Sequence, residues 1–148
     1  MKISENTTIQ EQFFQACSTG DLKKIKTIYK TKQLHIDSKS VEGWTGLIMS
    51  CFYEHIRIVE FLISNGADVN ATNKNGTSVF MYAKTPVLHN NRSWKILELL
   101  LEGGADINHL DCYNKTVLDY VIDNNGIALS RWLILKGAQF GYIILKKS

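Results

Sequence analysis

Apolar residues in this chain recur at spacings of three and four positions, in short segments separated by glycine and asparagine. The clearest segments run from Ile58 to Ile63 and from Ile96 to Leu101, and a third contains Leu129 and Leu133. Such spacing places the apolar side chains along one face of a helix and leaves the opposite face to polar side chains. The pattern predicts a series of short helices, each with one buried side.

A short phrase follows each of these predicted helices. It reads glycine, alanine, aspartate, an aliphatic residue and asparagine from Gly66 to Asn70 and again from Gly104 to Asn108, with a weaker copy at Gly137. A glycine directly after a helix suits the left-handed conformation with which many helices end. We therefore predict that a helix ends at each of these glycines.

A turn signal stands before each predicted helix pair, and it consists of a glycine or asparagine followed two positions later by a hydroxyl residue. The three copies are Gly43 with Thr45, Gly76 with Ser78, and Asn114 with Thr116. Glycine and asparagine accept the positive φ of a tight turn, and the hydroxyl side chain can cap the helix that begins there. In the third copy, Asp119 is placed to complete a capping box with Thr116.

The repeat resembles the ankyrin repeat, whose period is about 33 residues. The matching positions of the second unit are Gly43, Thr45, Leu47, Cys51, His55, Ile58, Val59, Leu62, Ile63 and the phrase from Gly66 to Asn70. The resemblance implies an all-α solenoid of helix–turn–helix units joined by hairpin turns. We predict one domain over 1–148, with units at about 8–39, 40–72, 73–110 and 111–141, the first being a degenerate cap.

The third unit is longer than the others. Gly104 and Gly137 lie 33 positions apart, whereas Gly66 and Gly104 lie 38 apart, a difference of five residues. We predict that the extra residues form a loop at 85–94 between the inner helix and an outer helix that starts near Ser93. Pro86 disfavours helical conformation in the residue before it. Such a loop is either a binding device or a tolerated insertion.

Two further features depart from the repeat pattern. Gly46 stands where the family has proline, and Gly46→Pro is expected to raise the melting temperature, because proline presets φ at a position whose N–H is not needed. The last residues, 142–148, continue an apolar segment that begins at Phe140. We predict that this tail folds back as a cap over the fourth unit, the alternative being a docking edge for a partner.

Composition and charge exclude several classes of function. The chain has 148 residues with a net charge of +3, which is too balanced to indicate a nucleic-acid or membrane surface. Lysines are concentrated in the first quarter, where a solvated helix face explains them better than a phosphate-binding patch. No apolar run approaches the roughly 20 residues that cross a bilayer. Three cysteines are an odd number, which favours reduced thiols and a cytoplasmic location.

Candidate catalytic or metal-binding groups do not form a recognisable set. The four histidines lie in different predicted turns or loops without a shared ligand spacing, and no nucleotide-binding or hydrolase motif is present. Cys17 and Cys51 fall on small-residue positions of inner helices and are predicted to be buried, whereas Cys112 is predicted to be exposed. We predict that the chain is not an enzyme and uses no cofactor and no metal.

The resemblance implies a protein-binding module whose contact positions flank the first glycine of each unit and end its inner helix. These positions are Ser18 and Thr19 in the first unit, Val41, Glu42, Trp44, Phe52 and Tyr53 in the second, Lys74, Asn75 and Thr77 in the third, and Cys112, Tyr113, Lys115, Asp123 and Asn124 in the fourth. We expect the large aromatic residues Trp44, Phe52, Tyr53 and Tyr113 to be exposed at the centre of the interface. The alternative is that some of them pack on each other or on a neighbouring unit.

The expected partner is another protein, with no nucleic acid and no membrane involved, and the chain is expected to be a monomer on its own. Such a module would act as a stoichiometric inhibitor or immunity protein, or as an adaptor. The alternative is a secreted effector aimed at a host protein. Remote alternatives are a nucleic-acid binder that uses the lysine-rich first unit and an enzyme built around Cys112 or the predicted loop.

Overall fold

The computed structural model describes residues 7–90 and 94–148. In these ranges the regular structure is helical, apart from one isolated antiparallel bridge between Thr72 and Ser78. The helices are α1 (Ile9–Thr19), α2 (Leu22–Thr31), α3 (Gly46–Phe52), α4 (Ile56–Ser64), α5 (Val79–Asn90), α6 (Lys95–Glu102), α7 (Val117–Asp123), α8 (Ile127–Leu135) and α9 (Gly141–Lys147). The first eight form four consecutive pairs, which confirms the predicted all-α repeat architecture.

The helix pairs stack through two rows of contacts. The inner helices α1, α3, α5 and α7 contact each other in that order, and the outer helices α2, α4 and α6 form a second row. The apolar face of each helix is buried between the rows, as with Ile58 and Leu62 in α4 and Leu97 and Leu100 in α6. One core therefore runs through all four pairs, so that each unit depends on its neighbours for burial.

The predicted helix caps are present at α3, α5 and α7. Thr45 Oγ1 accepts a hydrogen bond from the backbone N–H of Ile48 at 3.2 Å, and Ser78 Oγ accepts one from Met81 at 3.2 Å. Thr116 caps α7, and the Asp119 carboxylate accepts the backbone N–H of Thr116 at 2.8 Å. These bonds confirm the capping box and satisfy N–H groups that have no partner inside the helix.

The repeated phrase also behaves as predicted. Gly66 and Gly104, which follow α4 and α6 closely, have φ values of 87° and 94°. Side chains with a Cβ rarely adopt this conformation, which explains why both copies of the phrase begin with glycine. The next unit is joined to the phrase directly, because the Asn70 side chain accepts a hydrogen bond from the backbone N–H of Asp106 at 2.7 Å.

The five extra residues of the third unit lengthen its inner helix, so the prediction of a loop at 85–94 is wrong for the described part. Helix α5 has 12 residues, whereas α3 and α7 have seven each, and this difference equals the insertion. Pro86 lies inside α5 and is buried together with Ala83 and Val87 at helical spacing. Burial of this apolar face offsets the cost of about 3 kcal/mol that proline imposes inside a helix.

The lengthened part of α5 packs against the fourth unit. A Cβ at Gly126 would lie 2.5 Å from Cδ1 of Leu88, so the absence of a side chain at Gly126 allows this close approach. Beside it, the rings of Trp94 and Trp132 meet edge to face with centroids 5.4 Å apart. Residues 91–93 lie outside the described residues, as does the predicted helix start near Ser93, and α6 begins at Lys95.

The predicted stabilisation by Gly46→Pro is contradicted by the contact between the first two inner helices. Gly46 is the first residue of α3, as expected. However, a Cβ at this position would lie 2.6 Å from Cε1 of Phe13 and 3.0 Å from Sγ of Cys17. Proline carries that Cβ, so it would collide with α1 although its φ suits the position. Close packing between neighbouring units explains why this position has glycine.

The apolar tail forms α9, which is attached to the start of α7. The backbone N–H of Gly141 donates to the Asp119 carboxylate at 2.9 Å, and Thr116 Oγ1 donates to the carbonyl of Gln139 at 2.8 Å. Phe140 packs against the core. These contacts hold the beginning of the tail on the fourth unit, which agrees with a capping role, while Tyr142 and Leu145 stay exposed.

Candidate functional site

The predicted partner-binding surface lies on the side of the inner helices. We call it the inner groove, and it is formed by the turns at 40–44, 73–77 and 111–115 together with the accessible side of α3, α5 and α7. Stacked repeats use such a continuous surface because each unit adds one turn and one helix face to it.

Four aromatic residues from the second and third units form one group, which we call the aromatic cluster. It consists of Trp44, Phe52, Tyr53 and Tyr82. The ring centroid of Trp44 lies 4.9 Å from that of Tyr82 and 5.6 Å from that of Phe52, and Phe52 meets Tyr53 edge-on at 5.2 Å. Tilted and edge-on arrangements at these distances are favourable for aromatic rings.

Exposure within the predicted interface centre is uneven. Trp44 and Phe52 are half-buried, so the expectation that they are exposed is wrong; their rings pack on each other and on Tyr82 of the next unit. Tyr53 is 48% exposed and Tyr113 is 68% exposed, which confirms the expected exposure of these two side chains, while their place in an interface stays a prediction. The alternative of mutual packing thus holds for Trp44, Phe52 and Tyr53, although Tyr53 stays exposed as well.

Tyr82 and Tyr120 are groove residues that the sequence analysis missed. They occupy equivalent places, four residues after the helix caps Ser78 and Thr116, on the helix face that looks toward the turn. Each hydroxyl group bonds the side chain that begins its own turn: Tyr82 Oη accepts from Asn73 Nδ2 at 2.8 Å, and Tyr120 donates to Asp111. A tyrosine at the same distance from two caps was the signal that could have identified them.

The buried carboxylate of Asp111 organises the turn of the fourth unit. It accepts hydrogen bonds from the backbone N–H groups of Tyr113 at 2.9 Å and Lys115 at 3.1 Å, in addition to the bond from Tyr120. Burial and the adjacent Asp111 carboxylate raise the pKa of the Tyr120 hydroxyl above its usual range. The phenol therefore stays protonated and continues to donate to Asp111.

Two lysines approach the ring of Tyr120. Lys115 Nζ lies 5.2 Å from the ring centroid and pairs with Asp123 at 2.8 Å in an exposed contact, which solvent screens and which therefore contributes little to stability. Lys84 Nζ, from α5, lies 5.5 Å from the same centroid. Burial lowers the pKa of the half-buried Lys84 ammonium below its ordinary value.

The structure brings some predicted site residues together and leaves others apart. Trp44, Phe52 and Tyr53 join the aromatic cluster, and Lys115 joins Asp123. The remaining positions lie separately along the turns and helix ends. Exposed there are Thr19, Val41, Glu42, Lys74, Asn75, Cys112 and Asn124, whereas Ser18 and Thr77 are half-buried.

Histidines join neighbouring units. His55 Nε2 lies 2.8 Å from the carbonyl oxygen of Ser18, and His109 Nε2 lies 2.7 Å from that of Gly76, both within hydrogen-bonding distance. These contacts confirm a structural role for both. Across 7–90 and 94–148, no three histidine, cysteine, aspartate or glutamate residues are grouped so that they could hold a metal ion.

The three thiols fall into two classes, as predicted. Cys17 and Cys51 are buried and Cys112 is exposed. Burial raises the pKa of Cys17 to about 12 and also raises that of Cys51, so both thiols stay protonated at neutral pH. In the part of the chain that the structure describes, no helix has the length and apolar character to cross a membrane. A cytoplasmic location stays a prediction.

The chain belongs to the ankyrin repeat family. A family model described as ankyrin repeats in three copies matches residues 13–92, which is more than half of the chain. The match runs from the first predicted unit into the third and ends before α6. The pair α7 and α8 lies beyond it, although it has the same capped start and apolar helix faces.

Segments of several known proteins are similar to this chain. The chain is 30% identical over 115 residues to the transient receptor potential cation channel subfamily A member 1 of Drosophila melanogaster, covering 75% of this chain and 9% of that protein. It is 31% identical over 112 residues to an ankyrin repeat protein of Rickettsia bellii, covering 74% of this chain and 16% of that protein. An ankyrin repeat protein of Monkeypox virus is 30% identical over 82 residues, covering 55% of this chain and 13% of that protein. The chain thus spans only a small part of the relatives that it matches.

Proposed function

We propose that this chain is a non-catalytic binding module that holds a partner protein against its inner groove. The observation that carries the proposal is the aromatic cluster, which crosses from the second unit to the third and includes the exposed side chain of Tyr53. Aromatic side chains are over-represented among the residues that dominate interface energies. Burial of a partner's apolar side chains on this cluster would supply the affinity, and the turns would supply polar contacts at the rim.

The ankyrin family supports the same proposal, because its members are generic protein-interaction modules. An inhibitor or immunity protein, an adaptor and a host-directed effector would all use the inner groove in the same manner. Identification of the partner distinguishes these roles, since an inhibitor covers its partner's active site and an adaptor leaves it open.

The experiment compares two tyrosines with similar surroundings on different sides of the molecule. Tyr53 is 48% exposed and meets Phe52 edge-on at 5.2 Å, whereas Tyr29 on the outer helix α2 is 40% exposed and meets Phe61 edge-on at 5.6 Å. Trp44 is less suitable, because its half-buried ring supports the fold as well. The partner is captured from the native cell with the wild-type chain, and its affinity is then measured for each alanine variant.

We expect Tyr53→Ala to weaken binding by about 2 kcal/mol, or roughly thirtyfold, because it removes an exposed aromatic side chain from the interface centre. Tyr29→Ala should leave the affinity unchanged, while both variants lose similar stability in urea. Equal affinities for wild type and Tyr53→Ala would contradict the proposal, as would a loss confined to Tyr29→Ala.

A further inference from the structure

We propose that the inner groove recognises an acidic side chain of its partner, whose carboxylate pairs with Lys84 beside the ring of Tyr120. This inference rests on the proposed protein-binding function and adds a chemical class to it. The expected ligand is a protein segment that carries aspartate or glutamate next to apolar side chains.

Lys84 is a half-buried cation, and the two described contacts of its ammonium group are with uncharged side chains. Its Nζ donates to Thr85 Oγ1 at 3.2 Å and lies 5.5 Å from the centroid of the Tyr120 ring. Among the described residues, no carboxylate forms an ion pair with it. Desolvation of an ammonium group is costly unless an opposite charge compensates for it. Burial accordingly lowers the pKa of Lys84.

The carboxylates near Tyr120 are already engaged. Asp111 accepts from Tyr120 and from the backbone N–H groups of Tyr113 and Lys115. Asp123 pairs with Lys115 at 2.8 Å. Neither of them forms an ion pair with Lys84, so the charge left without an ionic partner in this part of the groove is positive. Charge complementarity therefore favours a carboxylate from outside the chain.

The surroundings of Lys84 also indicate what lies next to that carboxylate. The Tyr120 ring that Lys84 approaches occupies in α7 the place that Tyr82 has in α5, and Tyr82 belongs to the aromatic cluster through its contacts with Trp44 and Phe52. A segment that follows the groove would place an acidic residue at Lys84 and apolar side chains on the cluster. A single half-buried lysine also favours a protein carboxylate over a nucleic acid, whose affinity comes from many phosphate contacts.

The test uses a display library of random peptides, selected against the wild-type chain and eluted by excess free chain. Peptides whose binding is lost with Tyr53→Ala are retained as groove ligands, and their dissociation constants are measured by fluorescence anisotropy. The variant is Lys84→Met, which keeps the length and apolar character of the side chain but removes its charge. The matched control is Lys26→Met, since Lys26 Nζ lies 5.9 Å from the Phe61 ring centroid on the outer helices.

We expect the retained peptides to contain aspartate or glutamate beside aromatic or aliphatic residues. Lys84→Met should weaken the binding of these peptides by about tenfold or more, and Lys26→Met should leave their affinity unchanged. Replacing the acidic residue of the peptide by its amide should weaken binding to the wild type by a similar factor. The same replacement should have little effect on binding to Lys84→Met, because the interaction is already lost.

Other outcomes overturn the inference. Retained peptides without acidic residues, or acidic peptides that bind Lys84→Met as tightly as the wild type, show that no carboxylate pairs with Lys84. In those cases the dependence on Tyr53 still supports the proposed function. A single-stranded DNA oligonucleotide that displaces the peptides and depends on Lys84 would assign the site to phosphate instead. A selection that retains no peptide at all counts against both proposals.

Discussion

At the scale of single residues, Gly46 shows how close packing between the first two units determines which residue a position can hold. The side chains around it come from α1, which is some 30 residues earlier in the chain, and Phe13 fills the space that a larger residue would need. A requirement for glycine is usually explained by its backbone conformation, but at position 46 it is explained by the contact between α1 and α3. The φ of Gly46 lies in the helical range, so its conformation is open to any residue.

Gly46→Ala is expected to lower the free energy of unfolding by about 1–3 kcal/mol, because the added methyl group overpacks the contact with Phe13. Urea unfolding monitored by circular dichroism measures this change. Phe13→Leu removes the ring atoms that the methyl group would meet, so the double variant should lose less than the two single variants together. Additive losses would contradict the proposed contact.

At the scale of the element, α7 differs from α3 in how its start is held. Both helices have a threonine cap, but only α7 has a carboxylate in its first turn that bonds back to the cap. The Asp119 carboxylate also accepts the backbone N–H of Gly141, so one side chain serves the start of α7 and the start of α9. Stability of the tail is thereby coupled to the capping box of α7.

Asp119→Ala is expected to reduce stability by about 1–2 kcal/mol through loss of the cap and of the bond to α9. It should also speed amide hydrogen exchange in residues 141–147 more than in α3, because α9 loses its attachment. Ile48→Ala is not a suitable control since Ile48 is buried, whereas Glu98→Ala in the first turn of α6 removes an exposed carboxylate without a cap bond. If Glu98→Ala speeds exchange in α9 equally, the coupling through Asp119 is wrong.

Helix α5 shows how one element absorbs an insertion without a loop. Its five additional residues make about 1.4 turns, which extends the inner helix by roughly 7.5 Å beyond its neighbours. The extension carries Leu88 to Gly126 at the start of α8, so it contributes to the interface between the third and fourth units. An insertion in a repeat protein therefore adds contact area here, since its apolar residues continue the helical spacing of the segment before them.

At the scale of the whole molecule, the exposed lysines of the first unit and the aromatic cluster lie on different sides. The lysines of the first unit lie mainly on the outer helix α2, where Lys23, Lys26 and Lys30 are exposed. The aromatic cluster and Lys84 lie on the inner-helix side, so a ligand in the groove would not contact those lysines. One core joins all four units, so the units are expected to unfold together and not one by one.

We expect the chain to unfold in a single cooperative transition, because no unit buries its apolar face without a neighbour. Tryptophan reporters can test this in two regions. Trp44→Phe leaves Trp94 and Trp132 as reporters of the third and fourth units, whereas Trp94→Phe combined with Trp132→Phe leaves Trp44 as the reporter of the second. In each variant the urea midpoint from fluorescence should equal that from far-ultraviolet circular dichroism. Separate midpoints would indicate units that unfold independently.

The features that sequence analysis predicted well depend on residues close together in the chain. Thr45, Ser78 and Thr116 cap helices through bonds to residues three positions later, and Gly66 and Gly104 end helices through their own backbone conformation. Periodic burial of aliphatic residues is equally local, because it follows from the helix repeat. Because these local signals repeat along the chain, the sequence alone indicated the family and the all-α architecture.

The candidate site was only partly predictable. Tyr53 and Tyr113 were placed correctly because their register in the repeat leaves them exposed. Tyr82 and Lys84 were missed, since the contribution of each to the groove depends on a neighbouring unit: Tyr82 on Trp44 before it, and Lys84 on Tyr120 after it.

The sequence by itself determined the family, the helix caps, the helix-ending glycines and the order of the elements, because all of these arise from interactions within about four residues or from their regular repetition. Only the tertiary structure decided that α5 continues through Pro86, that Gly46 must accommodate Phe13, and that Lys84 lies beside Tyr120 without a carboxylate partner among the described residues. These features arise from packing between units whose residues are some 30 positions apart in the chain. Local preference sets where a helix can begin, whereas burial against the next unit sets how far it continues and which side chains it brings together.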